Sequence, residues 1–333
     1  MNIFELSTPA LLIDADAFDH NLAAMAAVHP GSRLRPHVKA HKCTSLAAAQ
    51  YACGHHSFTC ATPREVVGMA AAGLGDDLLL ANETLDLTRL AAMAAAQDNA
   101  LITVAVDSIE TIDAAAAEGI QHVLIDVNVG LPRCGCQPSD AGKLADRARA
   151  RGLVVRGVMG YEGHLMAIAD RNEQRAKVAA AMEQLMVASD LVGGGIVSAG
   201  GTDTFDLHTD QVTEIQAGTY ALMDTYYGGR GHPFVQACFV LGTVICSNDD
   251  YAVADAGLKT QGMDHGKPSM EGATVRFLSD EHITFEAVKR PALGDRVKVI
   301  PAHIDPTMAM HEAAFIVRGD EVIDRWPIDL RGW

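Results

Sequence analysis

The chain has 333 residues, and its 42 acidic residues outnumber the 26 basic ones, which gives a formal net charge of -16. This charge, without a basic cluster, argues against a nucleic-acid partner. No apolar run approaches the roughly 20 residues of a membrane span, and the amino terminus lacks signal-peptide features, so we expect a cytoplasmic protein without a membrane partner. The seven cysteines show neither zinc nor redox spacing and are interpreted as reduced thiols.

From Arg33 to about Met223, short apolar runs alternate with turns and Ala-rich helical patterns, which predicts alternating strands and helices. Eight candidate strands begin near Leu34, Ser57, Asp77, Leu101, Val123, Val154, Ile196 and Val212. The intervening segments are long enough for crossover helices, so the repeat predicts an α/β fold, a closed (β/α)8 barrel of the TIM type. Thr62, Pro63 and Glu65 mark one helix start as a capping box with proline at the first helical position.

Four basic residues lie in the segment RLRPHVKAHK, which is predicted as the first barrel strand. Period-two alternation places Arg35, His37, Lys39 and His41 on one face of that strand. Neighbouring cations and a partly dry barrel interior lower the pKa of a lysine, so Lys39 is the best nucleophile candidate. A solvated basic strand end is an equally good interpretation of the spacing alone. Lys42 is out of phase and is interpreted as a surface residue.

The seventh predicted strand runs into small residues, in the sequence IVSAGGT. The exposed amides of Gly200 and Gly201, together with the Thr202 hydroxyl, have the chemistry to bind a phosphate. Barrels commonly hold phosphate at this strand. An ordinary turn between a strand and a helix is the alternative.

After about Pro233 the long helical patterns give way to short runs rich in β-branched and aromatic residues, such as CFVLGTVIC and AAFIVR. This change predicts a second, smaller all-β domain. We therefore expect a barrel over residues 15–233 and a β domain over residues 234–333. The apolar run LLID at 11–14 adds a strand from residues 1–14 to the β domain.

The segment VIPAHIDP contains a candidate metal pair. If it is a strand, His303 and Asp305 share one face and offer an imidazole nitrogen and a carboxylate oxygen. Two protein ligands would leave a divalent ion open to substrate, which is catalytic use of a metal. A packed histidine beside a turn aspartate is the alternative. His311 is a weaker third candidate.

Six motifs occur together along the chain: RPHVKAHK, DVNVGLPRCG, GYEGH, SAGGT, EIQAGTYALMD and PAHID. Their sequence and order resemble the D-threonine aldolase and D-serine dehydratase-like family of fold-type III pyridoxal 5'-phosphate (PLP) enzymes, which is related to alanine racemase. The resemblance covers nearly the whole chain. It implies a PLP-binding (β/α)8 barrel followed by a β domain, in a homodimer that acts on a small D-amino acid.

The same resemblance assigns roles to individual residues. Lys39 matches the lysine that holds PLP as a Schiff base, and Arg133 matches an arginine near the cofactor's phenolic oxygen. For Arg133, a salt bridge at the barrel rim is the alternative. The remaining cofactor-binding residues that it implies are His37, Tyr161, Gly200, Gly201, Thr202, Gln216 and Tyr220.

Two positions bear on the reaction. Dehydratases of the family resemble H-x-C at the carboxy-terminal motif and aldolases resemble H-x-D, so His303 and Asp305 favour an aldolase with manganese, magnesium or, as an alternative, zinc. The aldolases often carry a histidine directly after the tyrosine of the GYEGH motif, where this chain has Glu162. His164 is therefore the candidate acid/base residue, with Glu162 as the alternative.

The function expected from these residues is a PLP- and metal-dependent lyase that cleaves a D-β-hydroxy-α-amino acid, such as D-threonine, to glycine and an aldehyde. Three alternatives stay open. The first is a dehydratase that converts D-serine or D-3-hydroxyaspartate to a 2-oxo acid and ammonia. The second is a non-catalytic PLP-binding protein, and the third is a metal hydrolase that uses His37, His41 and barrel carboxylates.

Overall fold

A computed structural model describes residues 1–333, which form fifteen strands and eight α-helices. The strands are β1 Ala10–Asp14, β2 Ser57–Cys60, β3 Asp77–Leu80, β4 Leu101–Val106, β5 His122–Asp126, β6 Val154–Met159, β7 Ile196–Ala199, β8 Glu214–Ile215, β9 Cys238–Ser247, β10 Ala252–Ala254, β11 Ala273–Leu278, β12 Ile283–Ala287, β13 Arg296–Val299, β14 Ala313–Arg318 and β15 Glu321–Pro327. The helices are α1 Ala15–Val28, α2 Thr44–Ala52, α3 Pro63–Ala71, α4 Leu87–Ala95, α5 Ile109–Ala117, α6 Ala141–Ala150, α7 Arg171–Val192 and α8 Ile304–Met310. No helix combines the length with the apolar character that a bilayer crossing requires.

The chain forms two compact units. We call the first the barrel unit; it comprises Ala26–Lys39, Ala47–Gly218 and Gly332–Trp333. We call the second the β unit; it comprises Met1–Met25, Ala40–Leu46 and Thr219–Arg331.

In the barrel unit, β2 to β8 form one parallel sheet in sequence order. The two ends of this sheet are joined by the segment before Val38. The amides of Arg35 and His37 donate to the carbonyls of Ile215 and Ala217, and the amide of Thr59 donates to the carbonyl of Pro36. Seven strands and this segment therefore close a ring, which confirms the predicted (β/α)8 barrel.

The first predicted strand is shorter than its sequence pattern indicated. The pairing of this segment with β8 and the residues after it ends at His37, whose amide donates to Ala217, and Val38–Ala40 forms a short 3-10 helix instead. The predicted alternation through Lys39 and His41 is therefore wrong, and the four basic side chains do not share one strand face.

The barrel interior contains apolar side chains in the middle and paired charged side chains at the amino-terminal ends of the strands. A cluster of Leu79, Ala105, Leu124 and Met159 fills the middle. At the strand starts, the buried Arg35 donates to Glu214 at 2.7 and 3.0 Å and to Asp77 at 3.0 Å. Arg156 also binds Asp77, at 2.7 and 2.6 Å.

We expect Arg35→Met to lower the free energy of unfolding by about 3 to 5 kcal/mol, because the change leaves the buried Glu214 carboxylate without its cation and Asp77 with Arg156 alone. The measurement is a urea denaturation curve of each protein. Arg147→Met is the control, since the Arg147 pair with Asp113 is solvent-exposed and such pairs contribute under about 1 kcal/mol. Equal midpoints for the two variants would contradict this account of the barrel interior.

The β unit contains a mostly antiparallel sheet in the order β11-β12-β10-β9-β1-β14-β15, with β13 also paired to β9. The run LLID lies in β1, which pairs parallel with β14 and antiparallel with β9. Ile3, Leu6, Leu12, Leu241 and Val317 pack together on this sheet. The amino-terminal strand is therefore part of the β unit.

The PAHID segment is not a strand, which corrects the expectation for His303 and Asp305. Strand β13 ends at Val299, and the helix α8 begins at Ile304 with His303 as its N-cap. Pro306 lies in the first turn of α8. Backbone N–H groups there have no intrahelical acceptor, so a proline costs no hydrogen bond.

Candidate active site

Lys39 lies directly after the segment that closes the barrel. It is half-buried, as is His37, and its backbone amide donates to Nδ1 of His37 at 3.4 Å. His37 is the last paired residue of that segment and Lys39 follows it, so both lie at its carboxyl end, which is the end where barrel active sites form. The structure thus places the predicted nucleophile at the catalytic end of the barrel, in a helical turn.

The predicted phosphate loop follows β7, and its amides are engaged within the loop region. The Gly200 amide donates to Oε2 of Glu162 at 3.3 Å, and the Gly201 amide donates to Oγ1 of Thr204 at 3.2 Å. Gly200 has a φ of +86°, which favours glycine. Thr202 is buried in the same loop. The amides of Gly200 and Gly201 are therefore not exposed as the sequence predicted, since both donate to protein oxygens. Phosphate binding by this loop stays a prediction.

Glu162 is fully buried and does not face solvent. Its Oε1 lies 2.7 Å from the Thr204 hydroxyl and 3.0 Å from Nε2 of His208. Burial alone would raise the pKa of Glu162, but the hydrogen bonds and charge of His208, with Thr204, outweigh it and hold the pKa below its ordinary value. Glu162 is therefore an ionised acceptor, and this environment does not suit an acid/base residue.

Arg133, Tyr161 and His164 lie on neighbouring loops of the barrel unit. The Arg133 guanidinium is 5.5 Å from the centre of the Tyr161 ring, and a Cβ added to Gly201 would lie 3.4 Å from that ring. His164 is exposed, and its imidazole lies against Gly130, where an added Cβ would be 2.8 Å from Nε2. These contacts place Tyr161 beside Gly201 and Arg133 beside Tyr161, whereas His164 lies beside Gly130.

Two weaker cofactor candidates have defined surroundings. Gln216 donates from its side-chain amide to the Ser198 hydroxyl at 2.8 Å, at the carboxyl ends of β7 and β8. Tyr220 is fully buried in the β unit, where its ring lies 5.5 Å from that of Phe234. Both roles stay predictions.

The predicted metal pair has suitable geometry in the β unit. Nε2 of His303 lies 3.6 Å from Oδ2 of Asp305. One divalent ion can contact both atoms at about 2.1 Å across such a separation. Both side chains are partly exposed, so an ion and a further ligand have access to them.

Sequence reasoning missed two residues beside this pair. Oδ2 of Asp264 accepts from Nδ1 of His303 at 2.8 Å, and the His265 ring stacks on that of His303 at 3.8 Å. A carboxylate on the second ring nitrogen is the usual partner of a metal-binding histidine, and it leaves Nε2 for the ion. The two residues lie in a loop 38 and 39 positions before His303, so no local pattern connects them to it.

A buried aspartate orients the metal pair. Asp224 accepts from the amide of Ile304 at 3.0 Å, which fixes the first turn of α8 between His303 and Asp305. Burial raises the pKa of Asp224 to about 6. The third candidate, His311, has its Nε2 bonded to the Thr260 carbonyl at 2.8 Å, and burial lowers its pKa; a metal role for it stays a prediction without support from this contact.

The barrel unit also holds an acidic group at the ends of β3 to β5. Ligand atoms of Glu83, Asp107 and Cys134 lie within 4.8 Å of one another. Burial first, and the neighbouring Glu83 second, raise the pKa of Asp126 well above its ordinary value. Burial also raises the pKa of Cys134 to about 11. Asp126 is therefore protonated more readily than an ordinary aspartate, and Cys134 stays a thiol at neutral pH.

Comparisons with known proteins agree with this architecture. The family model "Alanine racemase, N-terminal domain" matches residues 13–225, and "Putative serine dehydratase domain" matches residues 237–317. D-threonine aldolase from Arthrobacter sp is 33% identical over 98% of this chain and 93% of its own length. 3-Hydroxy-D-aspartate aldolase from Paracoccus denitrificans is 31% identical over 100% of this chain and 94% of its own length.

Solved structures extend the similarity to three dimensions. D-threonine aldolase from Filomicrobium marinum has a TM-score of 0.92 and 34% identity, covering 99% of this chain and 97% of that one. D-threo-3-hydroxyaspartate dehydratase from Delftia sp. has a TM-score of 0.83 and 27% identity, with both chains fully covered. The similarity therefore includes both units of the present chain.

Proposed function

Because this chain belongs to the D-threonine aldolase and D-serine dehydratase-like family of fold-type III PLP enzymes, we propose that it is a metal-dependent aldolase for D-β-hydroxy-α-amino acids. Its products would be glycine and an aldehyde. The lyase class itself follows from the relatives, which match nearly the whole chain. That coverage includes the β unit, which argues against a non-catalytic PLP-binding barrel.

One observation carries the choice of an aldolase: the imidazole and carboxylate of His303 and Asp305 are 3.6 Å apart and partly exposed. An oxygen ligand at position 305 suits manganese or magnesium better than a thiolate would. A divalent ion held there would supply Lewis-acid stabilisation of a substrate hydroxyl that loses its proton. We therefore propose manganese or magnesium as the metal.

The barrel unit fits a PLP group by the chemistry of its side chains. Lys39 supplies a half-buried amine at the catalytic end of the barrel. The glycine loop after β7 offers a surface without side chains next to the buried Thr202. We propose that Lys39 holds the cofactor aldehyde and that this loop binds the phosphate. When bound, PLP supplies an electron sink for the bond that breaks at the α carbon.

His164 is the proposed acid/base residue. Its exposed imidazole can accept a proton from a substrate hydroxyl, whereas the buried carboxylate of Glu162 is engaged by Thr204 and His208. Arg133 and the stacked Tyr161 ring would orient the cofactor beside the loop. The metal hydrolase built on His37 and His41 is less well supported, because the relatives that match nearly the whole chain are aldolases and a dehydratase.

Product analysis tests the proposed reaction. We expect the protein, supplied with PLP and manganese, to convert D-threonine or D-threo-3-hydroxyaspartate to glycine and an aldehyde, and to leave L-threonine unchanged. Amino-acid chromatography measures glycine, and a coupled assay measures ammonia. Ammonia and a 2-oxo acid without glycine would reject the aldolase and favour the dehydratase, the activity named for the Delftia relative.

A further inference from the structure

The loop after β7 takes its shape from hydrogen bonds to one buried side chain. Gly200 donates its amide to Oε2 of Glu162, and Thr204 donates its hydroxyl to Oε1. The Thr204 oxygen in turn accepts from the Gly201 amide at 3.2 Å. Both glycine amides therefore connect, directly or through one hydroxyl, to the carboxylate of Glu162.

His208 completes this arrangement at the far end of the same loop. Its side chain is fully buried, and Nε2 lies 3.0 Å from Oε1 of Glu162. Nδ1 of the same ring is buried without a hydrogen-bond partner, which is unfavourable. A Cβ added at Gly200 would lie 3.0 Å from Nε2. The ring is thus packed directly beneath the loop and held there through Glu162.

A carboxylate behind a phosphate loop needs a charge partner. A phosphate carries about -1.5 to -2 charges at neutral pH, and an isolated buried carboxylate nearby would repel it. His208 lies at ion-pair distance, so its charge, when protonated, offsets that of Glu162. The pair can then hold the loop without opposing the anion that the loop is proposed to bind.

We propose that Glu162 is a positioning residue that fixes the phosphate-binding loop in its binding shape before the cofactor arrives, with Thr204 linking it to Gly201 and His208 as its charge partner. The role concerns affinity for the phosphate and not the acid/base chemistry. It rests on the proposed function, because it requires that this loop bind the PLP phosphate.

The test compares the affinities of the cofactor-free protein for PLP and for pyridoxal, which lacks the phosphate. Both ligands offer the same aldehyde to Lys39. The dissociation constant for pyridoxal divided by that for PLP therefore isolates the phosphate contribution. We expect Glu162→Gln to reduce that ratio roughly tenfold or more, because an amide nitrogen would replace an acceptor oxygen opposite a donor. The affinity for pyridoxal should change little.

Variants at Thr204 separate positioning from folding. Thr204→Val removes the hydroxyl that links Gly201 to Glu162 and should reduce the ratio in the same way, whereas Thr204→Ser keeps the hydroxyl and should restore it. Asp77→Asn is the matched control: it neutralises a part-buried carboxylate that is also hydrogen-bonded, at the opposite ends of the strands. It should lower the melting temperature and leave the ratio of affinities unchanged.

The outcomes distinguish this inference from the proposed function. If the wild-type protein prefers PLP over pyridoxal, and folded Glu162→Gln and Thr204→Val proteins keep that preference in full, Glu162 does not position the loop and the proposed function stands. A wild-type protein that binds PLP no better than pyridoxal would overturn both. A selective loss in both variants, with recovery in Thr204→Ser, supports the inference.

Discussion

Lys39→Ala is expected to lower kcat/KM for the D-β-hydroxy-α-amino acid by on the order of a thousandfold or more. Lys39 is the amine at the catalytic end of the barrel that is proposed to hold the cofactor aldehyde, and alanine cannot form that bond. The variant should also lose the visible absorbance of the bound cofactor. Steady-state kinetics and an absorbance spectrum of the purified protein measure the two effects.

Lys42→Ala is the matched control for this prediction. Lys42 lies three residues further along the chain, at a backbone φ of +49° in the β unit, and no catalytic role is proposed for it. We expect its spectrum and kcat/KM to resemble those of the wild-type protein. Equal losses in the two variants would show that the kinetic effect does not arise from the loss of a cofactor-binding amine.

His303→Ala is expected to weaken manganese binding by at least roughly a hundredfold and to reduce aldolase activity in parallel. The change removes Nε2, one of the two atoms proposed to contact the ion, and leaves Asp305 alone. Titration calorimetry with manganese measures affinity without any turnover. Activity should return in part at high manganese concentration, since the carboxylate ligand is retained.

His311→Ala serves as the control in the same unit. His311 is also a partly buried histidine, but its Nε2 is bonded to the Thr260 carbonyl. We expect it to lower thermal stability and to leave the manganese affinity unchanged. If His303→Ala keeps the wild-type affinity, or if exhaustive chelation leaves activity intact, the metal role is wrong.

The barrel could be predicted from the sequence because its signals are local. The capping box of Thr62 and Glu65 forms as expected at the start of α3. The predicted strand starts agree with the structure from β2 to β7, where each strand is a short apolar run flanked by turns. Periodicity within ten residues is sufficient for such elements.

Two segments could not be predicted because their conformation depends on distant partners. The extended segment before Lys39 ends at His37, where its pairing with residues 215–217 ends, and no residue near Lys39 encodes the extent of that distant partner. The amide of Ile304 is capped by Asp224, 80 positions earlier, so α8 replaces the expected strand. In both cases tertiary contacts overrode a period-two pattern.

The candidate site follows the same division. Lys39, His303 and the SAGGT loop carry their chemistry in short motifs, whereas Asp264, His265 and His208 reach the site from loops that no motif marks. The environment of Glu162 could not be predicted from the sequence either. Its position beside Tyr161 suggested a pocket residue, but its carboxylate is bonded to Gly200 and Thr204 of the loop after β7.

The most direct test of this account is to locate the cofactor on the chain. The purified protein is incubated with PLP, reduced with borohydride, digested and examined by mass spectrometry. We predict a single major pyridoxyl-modified peptide with the modification on Lys39. Modification spread over surface lysines, or an unmodified Lys39 in a protein that cleaves the substrate, would contradict the account.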